Sequence, residues 1–229
     1  MKNYRNKFGI TLIEVLVVVA IVALLASVVI GLAGRMDNQG KERLTKNTIA
    51  LIGNALEQFR DFGYQYGNTN YAEFHFPLDC NDSPNPPKDI LEGVLQDALA
   101  LAPGSVIISG VGGTPVIHQP GYSGSEAMYF FLSQVPQCRK TLDRIDESLL
   151  TDRDENHNRL VLNVAGRKYP LLRFIDPWGT ALRYDYYYED IFPVQPNPNT
   201  KRTFPQITSA GADRIFNTRD DISNIDTKR

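Results

Sequence analysis

Residues that carry chemistry are scarce in this chain: 229 residues include two cysteines, three histidines and one tryptophan. Cys80 and Cys138 form no Cys-x-x-Cys pair, and His75, His118 and His157 lack zinc-ligand spacing, which excludes the common zinc modules. An excess of charge of one sign is also missing. Lys and Arg total 24 against 26 Asp and Glu, for a net charge of −2. No basic block interleaves with aromatics, so no nucleic-acid binding is expected. The glycine-rich "SGVGGTP" has no phosphate-loop lysine and reads as a turn. "GYSGSEA" has the outline of G-x-S-x-G, yet no strand leads into Ser123 as a nucleophile elbow requires. No internal repeat is present, and these residues give no reason to expect an enzyme.

The chain does have one long apolar run. Ile10–Gly34 carries a single charge, Glu14, near its start. As a helix it would be roughly 37 Å long, enough to span a bilayer with some tilt. An ionised carboxylate in lipid is unfavourable by about 2.5–3.5 kcal/mol on the mildest scale, so a plain anchor has no use for Glu14. Before the run stands "MKNYRNKFG", with Lys2, Arg5 and Lys7 and no acid, which holds this end in the cytoplasm and sends the rest across. A secretory signal would have a shorter apolar core and a small-x-small cleavage site.

"FG" followed by "ITLIEVLVVVAIVALLASVVI" resembles the class III signal of type IV prepilins and of the pseudopilins of type II secretion systems. The resemblance implies a leader, residues 1–9, cut by a membrane peptidase between Gly9 and Ile10. The new terminal residue, Ile10, is then N-methylated. Ile10 stands where a phenylalanine or methionine is more usual. Glu14 becomes the fifth mature residue, expected to pair with the terminal amine of a neighbouring subunit as filament helices pack. A buried charge needs such a partner.

Beyond Gly34 the composition turns polar, but Leu44, Thr48, Ile52, Ala55, Phe59 and Phe62 recur at three- and four-residue steps. The pattern predicts one helix from Ile10 to about Phe62, with 10–34 as membrane or filament core, 35–66 as its amphipathic continuation and Gly63 as C-cap. A globular part, 67–229, follows. A second helix is expected in "KDILEGVLQDALALAPG", with Asp89 near its start and Gly104 just past its end. A third is expected in "SEAMYFFLSQV", capped by Ser125. "SVIISGVGGTPVIHQ" reads as a hairpin around Gly110–Gly113, and "RLVLNVAGRKYPLLRF" as another. "LRYDYYYED" alternates Leu182, Tyr184, Tyr186 and Tyr188 as a half-buried strand does. The "VQPNPNTKR" loop and a last strand near "FPQITS" follow. The fold class is α+β: a long helix packed by its second half on a small, mainly antiparallel sheet, with additional helices. If the polar part is exported, a disulfide between Cys80 and Cys138 is expected, the alternative being two buried thiols.

Two carboxyl-terminal stretches narrow the resemblance. "IDPWGTALRYDYYY" is similar to the turn and strand of the G-type, or major, pseudopilin. "SAGADRIFNTRDDISN" resembles that subunit's closing loop, which binds calcium and fastens the terminal sheet. Asp213 and Asp220 match the ligand positions best, with Asp221 beside them, and Arg214 and Asn217 stand where the family often has glycine. The alternative is a solvated acidic loop neutralised by Arg214 and Arg219. "TDRDENHNRL" echoes the start of an EF-hand, but His157 replaces the glycine and Asn163 the bidentate glutamate, so a polar turn is read there. The similarity covers 1–62 and about 175–225, and the middle, Gly67 to Arg173, is longer than the family usually carries.

The resemblance implies a structural subunit of the type II secretion pseudopilus. It would sit in the inner membrane as a single-pass protein, with its globular part extracytoplasmic. Its expected partners are copies of itself, other pseudopilins, the prepilin peptidase, and an inner-membrane assembly platform with a cytoplasmic ATPase. Calcium is the expected cofactor. The alternatives are a type IV pilin of an adhesion or DNA-uptake filament and a membrane-anchored binding protein that does not polymerise.

Overall fold

The computed structural model describes residues 12–71, 75–80, 90–113, 116, 118–186 and 204–225, excepting the side chains of 28–36 and 90. The expected long helix is present as α1 (Leu12–Phe62), with Glu14 in its first turn. Gly63, at φ 65°, ends it, donating its N–H to Arg60 O at 3.1 Å, the left-handed stop that glycine favours.

The chain divides into two compact units, Met1–Gly40 and Lys41–Arg229. In the first, the apolar side chains from Leu12 to Leu25 are exposed, between 49% and 84%. In the second, one face of α1 is buried: Thr45, Thr48, Ile49, Ile52, Ala55, Leu56 and Phe59 are all at most 4% exposed. The expected stripe is trimmed at both ends, because Leu44 and Phe62 face solvent at 40% and 50%. The two threonines sit on a dry face because their hydroxyls donate one turn back, to Lys41 O (2.8 Å) and Leu44 O (2.9 Å).

The second helix, α2 (Ile90–Ala98), stops earlier than the sequence predicts. Ala100 takes the left-handed conformation at φ 54°, and Leu101 N–H bonds Gln96 O (2.9 Å) while Ala100 N–H bonds Asp97 O (3.0 Å). This is a Schellman motif with alanine in the glycine position, ahead of Gly104 in the chain. Asp89 lies outside the described residues. The third helix, α3 (Ser123–Gln134), starts two residues before Ser125, whose hydroxyl instead accepts Phe174 N–H at 3.2 Å. A helix the sequence reading does not contain, α4 (Pro136–Leu142), begins with proline at N1.

Three small antiparallel sheets replace the single one expected. β1 (Val106–Gly110), β3 (Leu160–Val164) and β4 (Arg167–Pro170) form the first; β2 (Leu150–Thr151) and β5 (Arg173–Phe174) the second; β6 (Arg183–Asp185), β7 (Gln206–Ser209) and β8 (Ile222–Ser223) the third. The β3–β4 hairpin holds as read, turning on Ala165 (φ 48°) and Gly166 (φ 84°), the two positive values of a type I′ turn. Among the described residues no strand pairing spans the expected hairpin around Gly110–Gly113. β1 pairs with β3, Ile108 opposite Leu162, because the buried alternation of β3 offers a longer apolar partner than its own glycine-rich neighbour. Residues 114, 115 and 117 of that stretch, Tyr188 and the 194–202 loop lie outside the described residues. Leu182, Tyr184 and Tyr186 are buried as predicted, but Asp185 is buried too, so the alternation holds only through Tyr184.

The expected disulfide is absent. Cys80 and Cys138 are both free and buried. Cys138 Sγ donates to Ala55 O of α1 at 3.2 Å, and burial pushes its thiol up to about 11. Burial also raises the Cys80 thiol, with Asp79 and Glu126 adding to the effect. Each sulfur serves as a small apolar side chain within the core.

Candidate functional site

Two regions carry the residues singled out by sequence. At the amino end, Gly9 and Ile10 lie outside the described residues. Glu14 is exposed on the first turn of α1, among the exposed apolar side chains of Leu12–Leu25.

At the carboxyl end, the Asp-Pro-Trp-Gly turn is built around the Asp176 carboxylate, which is 2% exposed. Its Oδ1 accepts the N–H groups of Trp178 (3.0 Å) and Thr180 (2.8 Å), and its Oδ2 accepts the Ser209 hydroxyl (2.7 Å). Gly179, at φ 90°, completes the turn by donating to Asp176 O.

The loop after β7 brings Asp213 and Asp220 together: Asp213 N–H donates to Asp220 Oδ2 at 3.0 Å, and the Thr218 hydroxyl donates to Asp220 Oδ1 at 2.6 Å. The Thr218 hydroxyl, followed by the Asp213 N–H, lowers the Asp220 carboxyl to about 2, so it is ionised at any physiological pH. Asp221 turns elsewhere, accepting Asn217 N–H (2.8 Å) and Thr218 N–H (3.4 Å). Arg214 and Asn217 adopt φ 61° and 69°. Left-handed geometry thus persists at both positions without glycine, and Ile215 N–H donating to Asp213 Oδ1 (2.8 Å) holds the first of them. Gly211 is required: a Cβ there would lie 2.3 Å from Asp220 O and 2.7 Å from its Oδ2. The Phe216 ring lies under the Arg183 guanidinium of β6, 4.9 Å away.

Among the described residues no group of three or more His, Cys, Asp or Glu is placed to hold a metal ion. A calcium ion would therefore draw on two carboxylates, Asp213 and Asp220, with carbonyl oxygens for the remainder. The all-oxygen donor set and the close-packed Gly211 cradle suit that hard cation. The 152–158 segment is a polar turn as read. Asp154 Oδ1 accepts Asn156 and Asn158 N–H, Asn158 Nδ2 donates to its Oδ2, and Asp152 pairs with Arg159.

Sequence reasoning missed a third cluster. Glu126 of α3 is fully buried, with Oε2 2.5 Å from His118 Nε2 and Oε1 3.3 Å from Arg173. Arg173 also donates to Arg153 O and stacks on the Tyr122 ring at 4.1 Å. Glu126 lines a cleft of about 230 Å³ between α3 and the β3–β4 hairpin, with Phe130 and Tyr169 among its walls. A glutamate amid the apolar "AMYFFL" run was the available signal, but its two partners stand 8 and 47 residues away.

Comparison with known families gives one match: the model of the prokaryotic N-terminal methylation motif fits residues 4–30. No curated protein and no solved structure matches the chain. The match supports a type IV prepilin-like amino terminus, with the peptidase processing, self-assembly and membrane anchoring that such a motif implies. Among the described residues no helix is long and apolar enough to cross a membrane.

Proposed function

We propose that the chain is a structural subunit of a type II secretion pseudopilus, without catalytic chemistry of its own. The methylation-motif match over residues 4–30, which contains Gly9, Ile10 and Glu14, carries this reading. The peptidase cuts after Gly9, the new amine at Ile10 is methylated, and Glu14 of one subunit meets that amine on a neighbour. The apolar half of α1 passes from the inner membrane into the filament core, and added subunits push the filament outward under a cytoplasmic ATPase. The carboxyl-terminal loop supports the secretion reading over an adhesion or DNA-uptake pilin, and calcium held by Asp213 and Asp220 closes it.

Intact-mass and amino-terminal peptide mass spectrometry of protein from its native membrane is the test. The expected chain begins at Ile10 and is one methyl heavier than encoded. A chain still beginning at Met1 in cells with an active prepilin peptidase would refute the assembly reading.

A further inference from the structure

The Asp-Pro-Trp-Gly turn and the carboxyl-terminal loop are separate stretches of sequence, and one buried hydroxyl joins them. Ser209, at the end of β7, is 0% exposed. Its Oγ donates to Asp176 Oδ2 (2.7 Å) and accepts Gly211 N–H (3.1 Å). A hydroxyl has a single proton. Giving it to Asp176 leaves only lone pairs for Gly211, so the relay has one direction. Asp176 cannot swing to another partner, because Trp178 and Thr180 N–H groups hold its second oxygen. Gly211, at φ 68°, is then held where its missing Cβ lets the Asp220 carbonyl and carboxylate close in. Asp220 in turn accepts Asp213 N–H.

We infer that Asp176 and Ser209 are positioning residues for the Asp213–Asp220 oxygen cluster: the relay Asp176–Ser209–Gly211 pre-forms the closing loop from the buried turn. It deepens the loop closure proposed above and rests on the calcium reading only where a metal is added. The chain of bonds itself is complete without one. Asp221, which holds the Asn217 and Thr218 amides, is not part of the relay.

Amide hydrogen exchange on the full chain in detergent micelles and chelator, comparing wild type with Ser209→Ala and Asp176→Asn, decides it. In Ser209→Ala the Gly211 and Asp213 amides are expected to exchange about tenfold faster, the scale of one lost buried hydrogen bond, while Asn217, Thr218 and Ile207 keep their rates. Asp176→Asn keeps one oxygen for the Trp178 and Thr180 N–H groups but turns an amide NH2 toward the Ser209 hydroxyl, removing its acceptor, and is expected to speed the same two amides. An unchanged Asp213 amide in Ser209→Ala would overturn the inference. So would equal loosening of Ile207, since Ser209 would then only be holding the sheet. A wild-type loop indifferent to added calcium chloride would remove the metal from the proposed function, and the result in chelator would still decide the relay.

Discussion

The two stretches of α1 obey one helical geometry and meet opposite fates. From Leu12 to Leu25 the apolar side chains are exposed, Leu16 at 61%, whereas Ile52, Ala55 and Leu56 are at 0%. The second stretch is covered within its own unit, Lys41–Arg229. Apolar surface on that scale is stable in water only when something else covers it; lipid and neighbouring helices are the covers that the proposed filament provides. The same contrast separates two glutamates. Glu126 has His118 and Arg173 for partners inside its own domain, while the proposed partner of Glu14 is a neighbour's terminal amine.

The strongest way to break this comparison is to neutralise Glu14. If it pairs across subunits in a dry interface, Glu14→Gln leaves an amine without its counter-charge, and assembled filament should fall about a hundredfold. Yield of filaments sheared from cells, against total membrane-bound subunit, measures it, and undiminished yield would favour a non-polymerising anchor. The opposite is expected of Glu126→Gln: a loss of about 3–5 kcal/mol in domain stability, from an Arg173 left buried without its charge partner, read by urea unfolding. A loss under about 1 kcal/mol would mean that solvent already screens the pair.

Matched leucines sharpen the comparison further. Leu56→Ala empties a fully buried site and should cost about 2–5 kcal/mol in unfolding of the full chain in detergent. Leu16→Ala, on the same helix, should change that transition by no more than about 0.5 kcal/mol and act instead on filament yield. Equal effects on unfolding would show that the domain covers both stretches.

How far the sequence could be read follows the same division. Local patterns were legible: the three- and four-residue steps of α1, the Ala165–Gly166 turn, the alternation through Tyr184. What depends on a distant partner was not. β1 looks like half of a local hairpin until Leu162 is available to pair with Ile108. Ala100 ends α2 in a conformation alanine disfavours, by about 1–2 kcal/mol, so a reader looking for glycine passes it by. Asp213 and Asp220 could be named from their order in the loop. That Asp221 faces away from them, and that Ser209 ties the loop to Asp176, depends on side-chain directions that only the folded chain sets.

The smallest expected effect lies in that loop and concerns acid. The Asp220 carboxyl has a folded value of about 2 against an ordinary 3.8, a depressed acid, so its contribution to loop closure is present above about pH 4 and is lost as pH falls through about 2. The causes are the Thr218 hydroxyl and the Asp213 N–H, both donors within the loop, so the transition should be local. Carbon-13 NMR of the Asp220 carboxyl in chelator is expected to give a midpoint near 2. The Asp213 amide should shift in parallel, and the buried Ile52 methyl should keep its shift. A midpoint near 4 would mean that Thr218 and Asp213 do not hold the carboxylate. The carboxyl-terminal loop would then depend on the proposed cation to close it, as the amino-terminal stretch of α1 depends on the proposed filament to cover it.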